Sequence, residues 1–197
     1  MSKFANAGPT SDAAAAAPPP PPPAYGAAAM VDLVDEISWS GCEVLNAAKK
    51  ESLGNALKQG LRDQELMIVE SDADEQLLIN IAFTSRVKVH SMEIAGPGGR
   101  APKNVKLFAN RTGLGFDDCE SAVAEQELDL EPEKLGERIE LKFVKFQAVD
   151  KLTVFIGSNQ DDEESTALSL LKFWGTSVST TKMGDFKRVA GHAGEGE

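Results

Sequence analysis

Four side chains in this sequence could complete a zinc tetrahedron: Cys42, His90, Cys119 and His192. Common zinc motifs place their ligands in pairs at short, fixed spacing, such as two cysteines separated by two to four residues. No such pair occurs here, because the two cysteines and the two histidines lie far apart along the chain. We therefore predict no metal site, and two free cysteines that pack as small apolar side chains.

Acidic side chains cluster in two places and could offer oxygen ligands to calcium. Asp72, Asp74 and Glu75 form the first group, and residues 161–164 form the second. A calcium-binding loop also needs a glycine and a terminal glutamate at fixed positions, and neither group has that pattern. Solvated acids beside strand ends are the better interpretation, and at Asp72 they would also discourage pairing at a sheet edge.

The sequence lacks the pattern of a nucleophilic enzyme. His90 is the only histidine in the folded middle of the chain, and no G-x-S-x-G motif is present. Cys42 is followed by Glu43, whose negative charge disfavours a reactive thiolate. We predict that the protein is not an enzyme and uses no cofactor.

Charge and hydropathy exclude several classes of partner. The net charge is −11, and residues 1–30 and 175–197 each sum to zero, so the middle of the chain carries all of it. Such a surface repels phosphate backbones, which excludes nucleic acid and anionic membranes as partners. The chain has no apolar run long enough to span a bilayer and no secretory signal, so we expect a cytosolic or nuclear location.

The arrangement of apolar residues predicts an all-β fold, a β-sandwich or jelly roll. Short helical turns are expected only near the N-terminus, around Leu45 and residues 53–57. Strand-like segments follow one another with turn signals between them, at 65–70, 76–83, 86–94, 104–110, 138–146, 152–156 and 167–173.

Three local patterns predict detail within this sheet. Residues 77–83 and 87–94 should form an antiparallel pair, because only a short polar turn at 84–86 separates them. The apolar phase changes at His90 and again within 138–146, which predicts a bulge or a bend at each place. Trp39 and Trp174 lie beside apolar residues and are predicted to belong to the core.

The two ends differ from the middle. Residues 1–30 are rich in alanine and proline and should form a disordered leader, or alternatively a ligand for a proline-binding groove with Tyr25 as anchor. The folded domain is predicted to span 31–175, followed by a tail at 176–197. Within the tail, the apolar anchors at 183–189 either pack on the domain or form a short motif that orders on a partner.

Seven sequence blocks stand out along the chain: G-C-E-V-L-N (41–46), E-S-D-A-D-E-Q-L-L-I (70–79), A-P-K-N-V-K-L-F-A-N (101–110), F-D-D (116–118), L-K-F-V-K-F-Q-A-V (141–149), T-V-F-I-G-S-N-Q (153–160) and M-G-D-F-K-R-V (183–189). In this order they resemble the PITH domain, the proteasome-interacting thioredoxin domain. The resemblance implies a galactose-binding-like jelly roll that associates with the 26S proteasome. Two departures stand out: the first 30 residues cannot hold a thioredoxin domain, and Val44 replaces a cysteine often found in the family.

The sequence therefore predicts a monomeric, non-enzymatic adaptor that docks on the proteasome regulatory particle through one sandwich face and its tail. The tail residues expected to bind are Met183, Asp185, Phe186, Lys187 and Arg188. The alternative is a carbohydrate-binding jelly roll, in which a sugar would stack on an aromatic ring with polar neighbours. Trp39 and Trp174 are the available tryptophans for such a site.

Overall fold

The computed structural model of the protein describes residues 30–49, 53–57 and 68–178. Within these residues the regular secondary structure is mostly β-strand, as predicted. The strands are β1 Val31–Asp32, β2 Glu43–Leu45, β3 Val69–Glu70, β4 Leu77–Ala95, β5 Asn104–Ala109, β6 Gln126–Asp129, β7 Arg138–Glu140, β8 Val149–Ile156, β9 Ala167–Leu168 and β10 Leu170–Ser177. The α-helices are α1 Leu53–Leu57 and α2 Phe116–Ser121.

Strand β4 joins two layers of the sandwich. Its first part pairs with β2 and β8, and β8 continues through β5 to β6; these strands form the first layer. Its second part pairs with β10 and β7, and β10 continues to β1; these strands form the second layer. A single strand that bends from one layer into the next is a common way to make the corner of a sandwich.

The predicted hairpin at residues 84–86 is wrong, because β4 continues through it. Ala82 pairs with Lys151 of β8, and the next paired residue is Val87, so the residues between them leave the β8 ladder. Glu36 holds this bend: its backbone oxygen accepts from the Thr84 hydroxyl at 3.1 Å. The polar residues that resembled a turn therefore let one long strand change layers.

The predicted bulge at His90 is confirmed. Ser91 pairs with Trp174 and Val89 with Gly175, so His90 is an extra residue with no partner in β10. The bulge explains the phase change in the sequence, since Val89 lies before it and Met92 after it, and both are fully buried.

The main core lies between the two layers. The first layer contributes Ile79, Ile81 and Val154, and the second contributes Met92 and Phe173, among others. Each fully buried side chain of this kind contributes about 1.5–3 kcal/mol, so this core is the largest stabilising term.

A second, smaller cluster lies on the outer face of the first layer. It contains Leu78, Phe108 and Phe155, and α2 covers it with the buried Cys119. The helix begins at Phe116, and the backbone N–H of its N-cap residue, Gly115, donates to the Asp118 carboxylate at 3.0 Å. This cluster accounts for Phe155, which faces away from the main core in an otherwise alternating strand.

Two details of the predicted elements need correction. The segment 138–146 is not one strand: β7 ends at Glu140, and a 3₁₀ turn follows at Phe143–Lys145. Leu45 ends strand β2 and does not form a helical turn. The helical turn predicted at 53–57 does occur, as α1. Two 3₁₀ turns that were not predicted at these residues lie closer to the N-terminus, at Leu33–Glu36 and Trp39–Gly41.

Strand β10 runs to Ser177, two residues beyond the point where the sequence pattern stops. Among the described residues, no helix combines the length and the apolar character needed to cross a membrane.

Candidate protein-docking surface

The 3₁₀ turn after β7 is held rigidly against the sandwich. The Leu141 N–H donates to the His90 oxygen at 2.8 Å, and the Lys142 N–H donates to Gln126 Oε1 at 2.6 Å. On the far side of the turn, the Val89 N–H donates to the Phe146 oxygen at 2.9 Å. Both ends are thus tied to strands, so the turn presents its side chains in a fixed direction.

Residues 142–145 form what we call the docking turn. Val144 is 81% exposed and Phe143 is 39% exposed, whereas the neighbouring Phe146 is fully buried and anchors the turn. Lys142 and Lys145 flank the apolar pair and are both exposed. Single exposed apolar residues are ordinary, but two adjacent ones on a rigid turn, bordered by bases in an acidic chain, fit a contact for another protein.

His90 supports this turn from the bulge. Its ring centroid lies 5.9 Å from that of Phe143, with the planes tilted by 50°. Its Nδ1 atom is buried and has no hydrogen-bond partner among the described residues. The ring of His90 therefore packs against Phe143 of the docking turn.

The described fold ends at Val178, on the opposite edge of β4 from the docking turn. The Val178 N–H donates to the Arg86 oxygen at 2.7 Å on the β10 edge, whereas the Val89 N–H, three residues along, donates to the Phe146 oxygen on the β7 edge. Three residues of a strand span about 10 Å, and the width of one strand separates the two edges. The predicted tail residues lie outside the described residues: Met183, Asp185, Phe186, Lys187 and Arg188.

Comparison with known proteins identifies the family. The family model of the PITH domain matches residues 23–191. This chain belongs to the PITH domain family. Thioredoxin-like protein 1 of Schizosaccharomyces pombe is 39% identical over 140 residues, which is 68% of this chain and 48% of that protein. The PITH domain-containing protein ZK353.9 of Caenorhabditis elegans is 38% identical over 106 residues, 53% of this chain and 50% of that protein.

The chain thus matches about half the length of these two relatives. Among solved structures, the family 32 carbohydrate-binding module of Clostridium perfringens NanJ, in complex with galactose, superposes with a TM-score of 0.54. The two sequences are 8% identical, and the superposition covers 74% of this chain and 99% of the carbohydrate-binding module. At such low identity the similarity concerns the fold, and it confirms the predicted galactose-binding-like sandwich.

The two cysteines of this PITH domain are free. Burial raises the pKa of Cys42 above its ordinary value, and its thiol donates to the Ser38 oxygen at 3.3 Å. Burial is the main cause that raises the pKa of Cys119, and the negative charge of Asp118 raises it further. The prediction that a thiolate is disfavoured at Cys42 is confirmed, although desolvation is the cause and not the neighbouring Glu43.

The acidic groups have structural contacts. Asp74 Oδ1 accepts from Asn46 Nδ2 at 2.6 Å and from the Gln76 N–H at 3.0 Å, which closes the loop before β4. In the second group, the buried Asn159 organises the loop, because its amide bonds both the oxygen and the N–H of Glu163. Among the described residues, no three Asp, Glu, His or Cys side chains come together as a metal site.

The prediction that both tryptophans belong to the core is wrong. Trp39 is 40% exposed. Trp174 lies on the outer face of β10, opposite the buried Phe173, because side chains alternate along a strand. The Arg138 guanidinium carbon lies 3.8 Å from the centroid of its ring, and Lys172 Nζ lies 4.2 Å from it. The indole N–H donates to Glu93 Oε1 at 2.7 Å. Cations therefore cover the ring of Trp174, whereas the ring of Trp39 remains partly exposed.

The docking turn was not recognised from the sequence, although a signal for it exists. In L-K-F-V-K-F the adjacent Phe143 and Val144 cannot both face the core of a strand, since neighbours point to opposite faces. At least one of them must point outward. The flanking lysines, in a domain with an excess of acids, mark the same segment.

Proposed function

We propose that this PITH domain is a non-enzymatic adaptor that binds the regulatory particle of the 26S proteasome through the docking turn and the C-terminal tail. The observation that carries the proposal is a rigid, exposed apolar pair between two lysines in a member of this family. The proposal includes a monomeric protein in the cytosol or nucleus. A strongly acidic surface favours the monomer, because copies of the chain repel one another.

The docking turn defines the chemistry of the surface that it would meet. Phe143 and Val144 fit a shallow apolar pocket, and burial of such side chains contributes up to about 1.5–3 kcal/mol each. Lys142 and Lys145 fit carboxylates at the rim of that pocket. Rim charges mainly affect the association rate and the choice of partner, whereas the buried anchors determine how long the complex lasts.

The tail and the turn are expected to act together. The described fold ends at Val178 on one edge of β4, and the docking turn contacts the other edge of the same strand three residues along. When two weak contacts belong to one chain, the second forms at a high effective concentration after the first. A partner that engages both would be held more tightly than either contact allows alone.

The test is binding of the purified full chain to purified 26S proteasome, measured by biolayer interferometry. Replacing both Phe143 and Val144 by serine should weaken binding by roughly tenfold or more, mainly through faster dissociation. Val123→Ser is the matched control, because Val123 is 83% exposed and lies outside the docking turn. A chain that ends at Val178 measures the contribution of the tail without cutting β10.

The outcomes separate the parts of the proposal. If the wild-type chain does not bind the proteasome, the proposed partner is wrong. If the double serine variant binds like the wild type while the truncated chain does not, the tail alone is the contact and the docking turn has no such role. Circular dichroism of each variant verifies that the sandwich remains folded.

A further inference from the structure

A polar cleft opens on the outer face of the first layer, beside the cluster that α2 covers. Its floor is one cross-strand row, in which Glu43 pairs with Asn80, Asn80 with Thr153, and Thr153 with Phe108. Side chains at paired positions point to the same face of a sheet. An adjacent residue in each of these strands faces the main core: Val44, Ile79 and Val154. Because neighbouring side chains in a strand point to opposite faces, the row with Glu43, Asn80 and Thr153 points outward.

The floor of the cleft is pre-arranged. Thr153 is only 2% exposed, and its hydroxyl donates to Asn80 Oδ1 at 2.7 Å. This bond fixes the orientation of the Asn80 amide. Within the described part of the chain, the Nδ2 donor of Asn80 has no protein acceptor, so it is available to a ligand.

One wall of the cleft is the loop that connects β5 to α2. Arg111 reaches Glu125 Oε1 and the Val123 oxygen, both at 2.9 Å, which fixes its guanidinium. Asn110, in the left-handed region at φ 58, ties the loop to β8 by accepting from the Asp150 N–H at 2.8 Å. The loop therefore does not need to be ordered by a ligand, which reduces the entropic cost of binding.

Opposite charges face each other across this cleft. Glu43 lines one side, on β2, and Lys151 lines the other, on β8; both are exposed. Neither belongs to an ion pair among the described residues, and Arg111 already compensates Glu125. The cleft thus offers a free carboxylate at one side and a free ammonium group at the other, with an amide donor between them.

We propose that the cleft binds a small zwitterion, a molecule with an ammonium and a carboxylate group of the kind found in free amino acids. The ammonium group lies at Glu43, and the carboxylate accepts from Lys151 and Asn80 Nδ2. The volume is about 160 Å³. Sites for drug-sized molecules usually have about 300–1,000 Å³, so a smaller polar ligand fits this cleft. The proposal is independent of proteasome binding, because it uses none of the residues of the docking turn.

The test is a titration of the isotope-labelled full chain with L-glutamine, followed by nuclear magnetic resonance. The signals to follow are the Asn80 side-chain amide and the backbone N–H of Gly113, which also lines the cleft. We expect saturable shifts at millimolar ligand. Glutamine methyl ester, which lacks the carboxylate, and N-acetylglutamine, which lacks the ammonium group, should each bind roughly tenfold or more weakly.

Three variants assign the contacts. Glu43→Gln should weaken L-glutamine binding but leave the weak binding of N-acetylglutamine unchanged, and Lys151→Gln should do the same for the methyl ester. Asn80→Asp retains an acceptor for Thr153 but places a negative charge against the ligand carboxylate, so it should also weaken binding. Glu133→Gln is the control, because Glu133 is exposed and does not line the cleft.

Two results would overturn the proposal. One is the absence of saturable shifts with L-glutamine and with two further probes, L-serine and L-lysine. The other is equal or tighter binding of galactose, a neutral polyol, since such a ligand needs neither free charge.

Discussion

Gly175 lies where β10 meets the bulge of β4, and we predict that no larger residue fits there. A Cβ atom built on Gly175 would lie 1.9 Å from the Lys88 oxygen and 3.1 Å from Leu33 Cδ1. The first contact is with backbone in the ladder between β10 and β4, so no side-chain rotation relieves it. Gly175→Ala must therefore displace one of the two strands.

The expected cost follows from this geometry. Overpacking of a well-packed interior costs typically about 1–3 kcal/mol, and a clash with paired backbone belongs at the upper end of that range. We expect the free energy of unfolding to fall by about 3 kcal/mol. For a domain of this size, each 1 kcal/mol lowers the melting temperature by about 2–4 °C, so the shift should be roughly 6–12 °C. Urea unfolding followed by tryptophan fluorescence measures the first quantity, and differential scanning calorimetry measures the second.

Gly115→Ala is the matched control. A Cβ atom there would meet only Asp118 Oδ2, at 3.6 Å, and its backbone is extended at φ −94. Alanine is a poorer N-cap than glycine by roughly 0.5–1 kcal/mol, so the control should cost clearly less than Gly175→Ala. If Gly175→Ala proves as stable as Gly115→Ala, the close approach of Lys88 does not exist, and the register of β10 on β4 must be revised.

The remaining predictions concern the two thiols and the loop that Asn159 organises. Burial raises the pKa values of Cys42 and Cys119 above the ordinary 9.0, so both thiols should react slowly with iodoacetamide at neutral pH; rapid labelling of the folded protein would contradict this. These pKa values are higher in the folded state than in the unfolded one. The free energy of unfolding should therefore fall as pH rises above about 9. It should fall less in a control variant in which both cysteines are replaced by alanine. Asn159→Ala should cost roughly 2–3 kcal/mol, because it leaves the backbone of Glu163 without its partners, whereas calcium should leave the wild-type melting temperature unchanged.

Periodicity was sufficient to predict much of the fold. The all-β class and the bulge at His90 follow from the order in which apolar residues alternate, since a single inserted residue moves all later side chains to the other face. The same rule identified Phe155 as apolar on the second face. It could not identify the helix that covers this face, because α2 contributes only a short segment around Cys119.

Long-range pairing was beyond the reach of local patterns. The polar residues at 84–86 have the composition of a turn, and only their neighbours in space show that β4 continues through them. The polar cleft has the same origin: Asn80 and Thr153 are distant in sequence, and the register of β4 on β8 brings them together. A sequence pattern shows that each is polar within an apolar strand, but not that the two face each other.

Apolar side chains on both outer faces of this sandwich are covered by other residues. On the first layer, α2 covers Leu78 and Phe155, and the polar cleft lies beside them. On the second layer, Arg138 and Lys172 cover the ring of Trp174. Recognition by a projecting turn therefore accounts better for the exposed Val144 than recognition by a sandwich face, since a turn can insert its anchors into a pocket while the acidic faces remain solvated.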